Sequence, residues 1–178
     1  ALPIYLIPAM AEDVERLQMI ANRFSKIGSI PELEDADLKA LLERVTDYIA
    51  HRTSDKVKIS THVPDSLPPV RLNVALFEWV IENLCKNAVD AMGGVGVLVI
   101  SVQETSRYWC IDVVDTGKGI DKRYFETVFA PGYTTKKRGW GLGLSLARRI
   151  VVEYHSGSIF VKQSEINKGT IFRIELKK

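Results

Sequence analysis

The sequence predicts an α/β domain in two layers, a mixed sheet with helices packed on one face. Three observations point to it. Two segments, from Asp37 to Ile49 and from Asn73 to Met92, carry apolar residues at spacings of three and four behind a capping residue. Five segments alternate apolar and polar residues at the two-residue period of a strand. Helical segments alternate first with a single strand and then with hairpins, an order that builds one sheet and leaves the helices to cover it.

In chain order, residues 9–27 set Met10, Val14, Leu17, Ile20, Ala21 and Phe24 along one stripe, with Pro8 placed for a first turn and Gly28 for a stop. This predicts an amphipathic helix. Gly28-Ser29-Ile30-Pro31 reads as a connector, which sets a boundary near residues 28–35. Asp37 then opens a helix through Leu38, Leu41, Leu42, Val45 and Ile49. Val57, Ile59, Thr61 and Val63 alternate against Lys58, Ser60 and His62 as a half-buried strand, and residues 64–69 turn. Asn73 caps a long helix with Leu76, Val80, Leu84 and Ala88 on one stripe, and Gly93-Gly94 ends it. Strands over 95–103 and 108–114 form a hairpin, residues 122–129 a short helix, and residues 130–138 an irregular, mobile loop. A last helix follows, its apolar face set by Leu142, Leu146, Ile150 and Tyr154. Strands over 158–163 and 170–176 close the chain around a turn at Asn167-Lys168-Gly169.

With 178 residues, 46% apolar and 26% charged, the chain suits one globular domain with an appended element. A formal net charge of +2 argues against nucleic-acid binding, since a phosphate-tracking surface concentrates more basic charge. The one dense basic cluster is Lys136-Lys137-Arg138, a solvated loop tip or a phosphate contact. No apolar run reaches membrane-spanning length, and the first residues lack the pattern of a secretory leader. Cys85 and Cys110 have no metal-ligand spacing, and both are expected to be buried, reduced thiols of a cytosolic protein.

The chemistry concentrates in four places. Gly139, Gly141 and Gly143 alternate with Trp140 and Leu142 and run directly into the last predicted helix, where backbone N–H groups and a helix start could hold a phosphate. The same pattern also serves as a plain cap or tight turn. Asn83 and Asn87, four residues apart, put two short amides on one face of the long helix, as satisfied core amides or as ligands. Asp115 stands at a strand end before Gly117 and Gly119, as a turn former or as an acceptor in a site. Thr134-Thr135-Lys136 ends the irregular segment.

Taken in that order, and closed by Gly169-Thr170, these pieces resemble the catalytic and ATP-binding domain of sensor histidine kinases, within the superfamily that includes DNA gyrase, Hsp90 and MutL. NLCKNAVDAM resembles the family's N box, DVVDTGKGI its G1 box, YFETVFAPGYTTK its F box and GWGLGLSLARRIV its G2 box. The resemblance covers roughly residues 36–178 and is expected to place the chain in the nitrogen-regulation-like branch. It implies the Bergerat ATP-binding fold, with ATP and Mg2+ as ligands. Asp115 matches the carboxylate that accepts the adenine exocyclic amine, and Gly117, Gly119 and Ile120 lie beside the base. Asn87 matches the Mg2+ ligand, with Asn83, Lys86 and Asp90 on the same helix among the residues that meet the nucleotide. Thr170 matches the hydroxyl beside the adenine carboxylate. Thr134, Thr135, Lys136 and Gly139 belong to the lid, and Gly141, Leu142, Gly143 and Leu144 meet the phosphates.

The ATP hydrolases of the superfamily usually carry Glu four residues before the metal-binding Asn, where it serves as a base; Asn83 stands there, as in histidine kinases. Two positions depart from the usual pattern: Trp140 between the first G2 glycines, and Asp90 where many relatives carry a basic residue. The resemblance implies a protein-histidine kinase whose phosphoacceptor is missing, since His51, His62 and His155 are followed by Arg52, Val63 and Ser156 rather than by an acidic residue. His155 is expected to cap a helix C-terminus. Residues 1–30 are accordingly expected to be the end of the dimerisation and phosphoacceptor hairpin with its connector, and residues 31–178 the catalytic domain. Autophosphorylation by this chain in isolation is not expected. The implied partners are the parent's phosphoacceptor domain and a response regulator, with no membrane contact by this part and a cytoplasmic location. The alternatives are a gyrase-type hydrolase and a pseudokinase or nucleotide-dependent interaction module.

Overall fold

A computed structural model of the chain describes residues 32–136 and 140–178. The chain divides into two compact units, Ala1–Glu32 and Leu33–Lys178. The predicted helix over 9–27, its connector, and Lys137, Arg138 and Gly139 lie outside the described residues.

The second unit runs β1 (Glu34–Ala36), α1 (Leu38–Ala50), β2 (Val57–His62), β3 (Val70–Leu72), α2 (Val74–Met92), β4 (Gly96–Glu104), β5 (Tyr108–Asp115), α3 (Gly143–Arg149), β6 (Ser158–Glu165) and β7 (Gly169–Lys177). Five strands form one mixed sheet in the order β2-β4-β5-β7-β6. Only β2 and β4 run parallel, because α2 returns the chain between them; the other neighbours are antiparallel. The two-layer expectation therefore holds. A small second sheet, β1 with β3, was not expected. Its three-residue strands are too short to show a two-residue period.

Both long helices start where the capping residues place them. Asp37 accepts from the Ala40 N–H at 3.0 Å, and Asn73 Oδ1 accepts from the Leu76 N–H at 3.1 Å. Gly93 ends α2 in the left-handed conformation at φ 62°. The inner sheet face supplies Leu98, Ile100, Ile111 and Ile174, and α2 supplies Phe77, Ile81 and Leu84; all seven are fully buried. Each contributes about 1.5–3 kcal/mol by leaving water.

Two sequence expectations change. Residues 122–129 form two single 3₁₀ turns, Lys122–Tyr124 and Thr127–Phe129, in place of one helix. The last helix keeps α-geometry for only seven residues and passes into a π-helical turn at Ile150–Tyr154. The wider turn rotates the residues that follow, so Val151 and His155 join Ala147 and Ile150 as buried positions. Leu142, Leu146 and Tyr154 remain half-buried.

Strand β6 contains a bulge. Val161 pairs with Phe172 and Gln163 with Ile171, which leaves Lys162 as the extra residue. Beyond it the alternation inverts. Ser164, which strict alternation from Ile159 and Val161 would turn to the open face, pairs with Thr170 on the helix-covered side.

Among the described residues, no helix is long and apolar enough to cross a membrane, and no cluster of His, Cys, Asp or Glu has the makings of a metal site. Cys85 and Cys110 are both buried free thiols, and burial pushes the Cys85 thiol up to about 12, which keeps it protonated and unreactive.

Candidate functional site

The four places singled out in the sequence converge at one end of the sheet. Asp115 ends β5 opposite Thr170 on β7, and both are buried. The Asp115 carboxylate accepts the Gly117 N–H at 2.7 Å and a backbone hydrogen bond from Thr170. Burial is the larger influence and raises its pKa above the ordinary carboxylate value, against these two donors. It is thus a buried acceptor held in place by backbone donors, with acceptor capacity left for a ligand.

The walls around it are set by close backbone contacts. Gly169 sits at φ +108°, and a Cβ there would overlap the Asp115 carbonyl oxygen. The Lys118 N–H donates to the Ala91 carbonyl at 3.0 Å, which fastens the segment after β5 to the end of α2. On the other side, the Asn167 N–H donates to the Lys118 carbonyl at 2.8 Å. Ser164, which sequence reasoning did not single out, accepts the Ile120 N–H at 2.7 Å and meets the Thr170 hydroxyl at 2.9 Å. One hydroxyl therefore ties Ile120, β6 and Thr170 together. Only its distance from the G1 glycines hid it; the bulge at Lys162 is what brings it in.

Asn83 and Asn87 are half-buried on α2. Gly143 lies so close to Asn83 that a Cβ would overlap Asn83 Oδ1 unless the amide shifted. Asn83 Nδ2 is buried with no hydrogen-bond partner among the described residues, unlike the satisfied core amide that its helical position suggested. Asn87 Oδ1 accepts from the Lys136 ammonium at 2.8 Å, and Asp90 Oδ2 pairs with the same nitrogen at 2.5 Å. Lys118 Nζ donates to Thr135 Oγ1 at 3.1 Å, and Thr134 Oγ1 accepts the Lys136 N–H at 3.1 Å. The Gly132 N–H donates to the Gly141 carbonyl at 3.0 Å, which joins the F box to the second G2 glycine. Leu142 precedes α3, and Leu144 lies in its first turn.

Lys86 goes elsewhere. Its ammonium pairs with Glu82 and stands 5.9 Å from the centre of the Tyr48 ring, toward α1 rather than toward Asn87. Trp140 is exposed. None of the three histidines joins the site: His51 and His62 are exposed, and His155 is buried, with Nδ1 on the Ile150 carbonyl at 2.9 Å, the helix-end cap its position predicted.

This arrangement is an α/β sandwich with a buried carboxylate at one end of its sheet and backbone and amide groups leading away from it. Residues 73–178 match the family described as histidine kinase-, DNA gyrase B- and HSP90-like ATPase, and the chain belongs to that family. It carries the ATP-binding catalytic domain found in two-component histidine kinases. The sensor histidine kinase ZraS of Escherichia coli is 30% identical over 174 residues, covering 96% of this chain and 37% of that protein. The chain thus spans little more than a third of that relative. Among solved structures, the catalytic domain of histidine kinase ThkA superposes with a TM-score of 0.72 at 26% identity, covering 83% of this chain and 96% of that one. ThkA in complex with response regulator protein TrrA shares the fold, with a TM-score of 0.76 at 22% identity over 98% of this chain and 51% of that one.

Proposed function

We propose that this domain binds ATP together with Mg2+ and positions the γ-phosphate for transfer to a histidine outside these 178 residues, from which a response-regulator aspartate takes it. The observation that carries the reading is the buried carboxylate of Asp115, fixed by backbone donors and facing a wall of close backbone contacts. An acceptor-only group receives the exocyclic amine of adenine and has no use for the carbonyl that guanine presents. The hydroxyls of Thr170 and Ser164 stand beside it to complete the base's polar edge.

Away from the base, Asn83 Nδ2 is a buried donor that a phosphate oxygen would satisfy. The amides from Gly141 to Leu144 stand across from it at the start of α3. The residues fit a hard cation: Asn87 Oδ1 already accepts from an ammonium, and a carboxamide oxygen is a hard ligand suited to Mg2+. Asn87 would hold the ion, which supplies charge neutralisation for the transferring phosphoryl group. Asn83, where hydrolases of the superfamily carry Glu, offers no base for water, so the chain's own work is positioning and charge complementarity.

Residues 1–30 are read as the end of the phosphoacceptor hairpin and residues 31–178 as the catalytic domain, in the nitrogen-regulation-like branch and on the cytoplasmic side. Contact with nucleic acid or membrane is not part of this reading. The test is calorimetric titration of ATP, with and without Mg2+, into the wild-type chain and Asp115→Ala. Micromolar binding that the variant loses supports the site; absence of binding in the wild type overturns it.

A further inference from the structure

Asn87 and Asp90 lie one helical turn apart near the end of α2, and their oxygens converge on a single point. That point is taken by the side chain of Lys136, whose Nζ lies 2.8 Å from Asn87 Oδ1 and 2.5 Å from Asp90 Oδ2. Lys136 comes from a segment 46 to 49 residues further along the chain and held from the opposite wall by Lys118 Nζ on Thr135 Oγ1. Resting on the ATP reading above, Asn87 Oδ1 is also the oxygen offered to the nucleotide's divalent cation. An ammonium and a divalent cation cannot both sit against one carboxamide oxygen, because at about 3 Å their repulsion is strong even at a surface.

We propose that Lys136 is a tethered competitor for the metal position: in the nucleotide-free protein its ammonium fills the seat between Asn87 and Asp90, and the divalent cation arriving with the nucleotide must displace it. Asp90 is the residue that holds the lysine there. This accounts for the carboxylate at a position where a basic residue would instead face the phosphates. A cation on α2 itself could not be moved aside, whereas Lys136 is carried on a separate segment. Once displaced, the same ammonium is free to turn to the phosphates. Lys136 and Asp90 are both exposed enough for water to screen the pair, so the hold is modest and suits a contact that a ligand must break.

The experiment uses Asp90→Ala and has two readouts. The first needs no nucleotide: the rate of reductive methylation of Lys136, read by peptide mass spectrometry against other exposed lysines of the same chain. Loss of the carboxylate is expected to raise Lys136 labelling roughly two- to fivefold, the range for one exposed ion pair. The second is calorimetry. Mg2+·ADP is expected to bind Asp90→Ala about threefold more tightly than wild type, while ADP in excess chelator changes by less than about twofold. Asp90→Asn, which keeps the shape and loses the charge, is expected to fall between the two proteins in both readouts. Unchanged Lys136 labelling would overturn the proposal, and so would weaker Mg2+·ADP binding, which would make Asp90 a metal ligand. Failure of nucleotide binding altogether sinks the ATP reading, while the labelling arm still decides whether Asp90 holds Lys136.

Discussion

His155 Nε2 accepts a hydrogen bond from the backbone N–H of Asn73 at 3.1 Å, so the chain that follows α3 is fastened to the capping residue of α2. Its other ring nitrogen donates to the Ile150 carbonyl, and its ring lies 5.5 Å from that of Phe77. Both nitrogens are used by the neutral ring, and protonation would point a second N–H at the Asn73 donor. Burial lowers the pKa of His155 below its ordinary 6.5, against the hydrogen bond to the Ile150 carbonyl.

The sign follows from linkage. Above pH 6.5 neither the folded nor the unfolded state binds this proton; as pH falls below 6.5 the unfolded state takes it first, and stability declines until the folded value is passed. Melting curves of wild type and His155→Gln are expected to differ most at neutral pH, where the variant lacks the ring and its two hydrogen bonds. The gap should narrow as pH falls below 6.5, because only wild type loses stability through this proton. Parallel curves would exclude the coupling.

Asp115 predicts the opposite sign. Its folded pKa lies above the ordinary 3.8, so on acidification the folded state protonates first and this group adds stability between the folded value and 3.8. A carboxyl-carbon NMR titration should show a midpoint above 3.8. Adenine binding should fade in the same window, because the protonated group has lost its charge and one acceptor oxygen. At neutral pH, Asp115→Asn is expected to weaken ATP binding about 10- to 150-fold, the worth of one hydrogen bond to a buried charge.

Gly169→Ala tests the backbone contact behind the carboxylate. The residue has φ +108°, and an added Cβ would meet the Asp115 carbonyl oxygen, which cannot swing away as a side chain could. A loss of roughly 3 kcal/mol is expected in urea unfolding, together with weaker ATP binding as β5 and β7 part. A variant as stable as wild type would show that the hairpin accommodates the methyl group.

On the open face of the sheet, Asp112 is buried between Arg173, bidentate at 2.6 and 2.7 Å, and Lys162 at 2.9 Å. Burial pushes its carboxyl up, but the two cations outweigh it and hold the pKa below 3.8. Asp112→Ala leaves two cations facing each other and is expected to cost about 2–4 kcal/mol, less than a fully buried pair because Lys162 is partly exposed. Adding Arg173→Leu should recover part of that loss, and ATP affinity should stay close to wild type throughout.

Much of this protein was legible in the chain itself. The helices announce themselves because Asp37 and Asn73 cap them locally and their apolar stripes recur within a few residues. The strands of the large sheet show the two-residue period, and the order of the Asn, Asp and Gly motifs points to the family before any contact is known. Each of these signals is written within one turn or one strand.

What only the tertiary structure decided involves partners far apart in sequence. The bulge at Lys162 turns Ser164 toward Thr170 because β6 must keep register with β7 on both sides of one extra residue. The π-helical turn keeps Ile150 buried but turns Val151 and His155 inward after it, where a strict α-period placed Tyr154. Lys86 turns to Tyr48 on α1, and Lys136, separated from Asn87 by 49 residues, takes the place beside it. Local periodicity specifies which side of an element is apolar; which charged end meets which is settled only when the elements pack, since a long flexible lysine goes to whichever oxygens the fold leaves within reach.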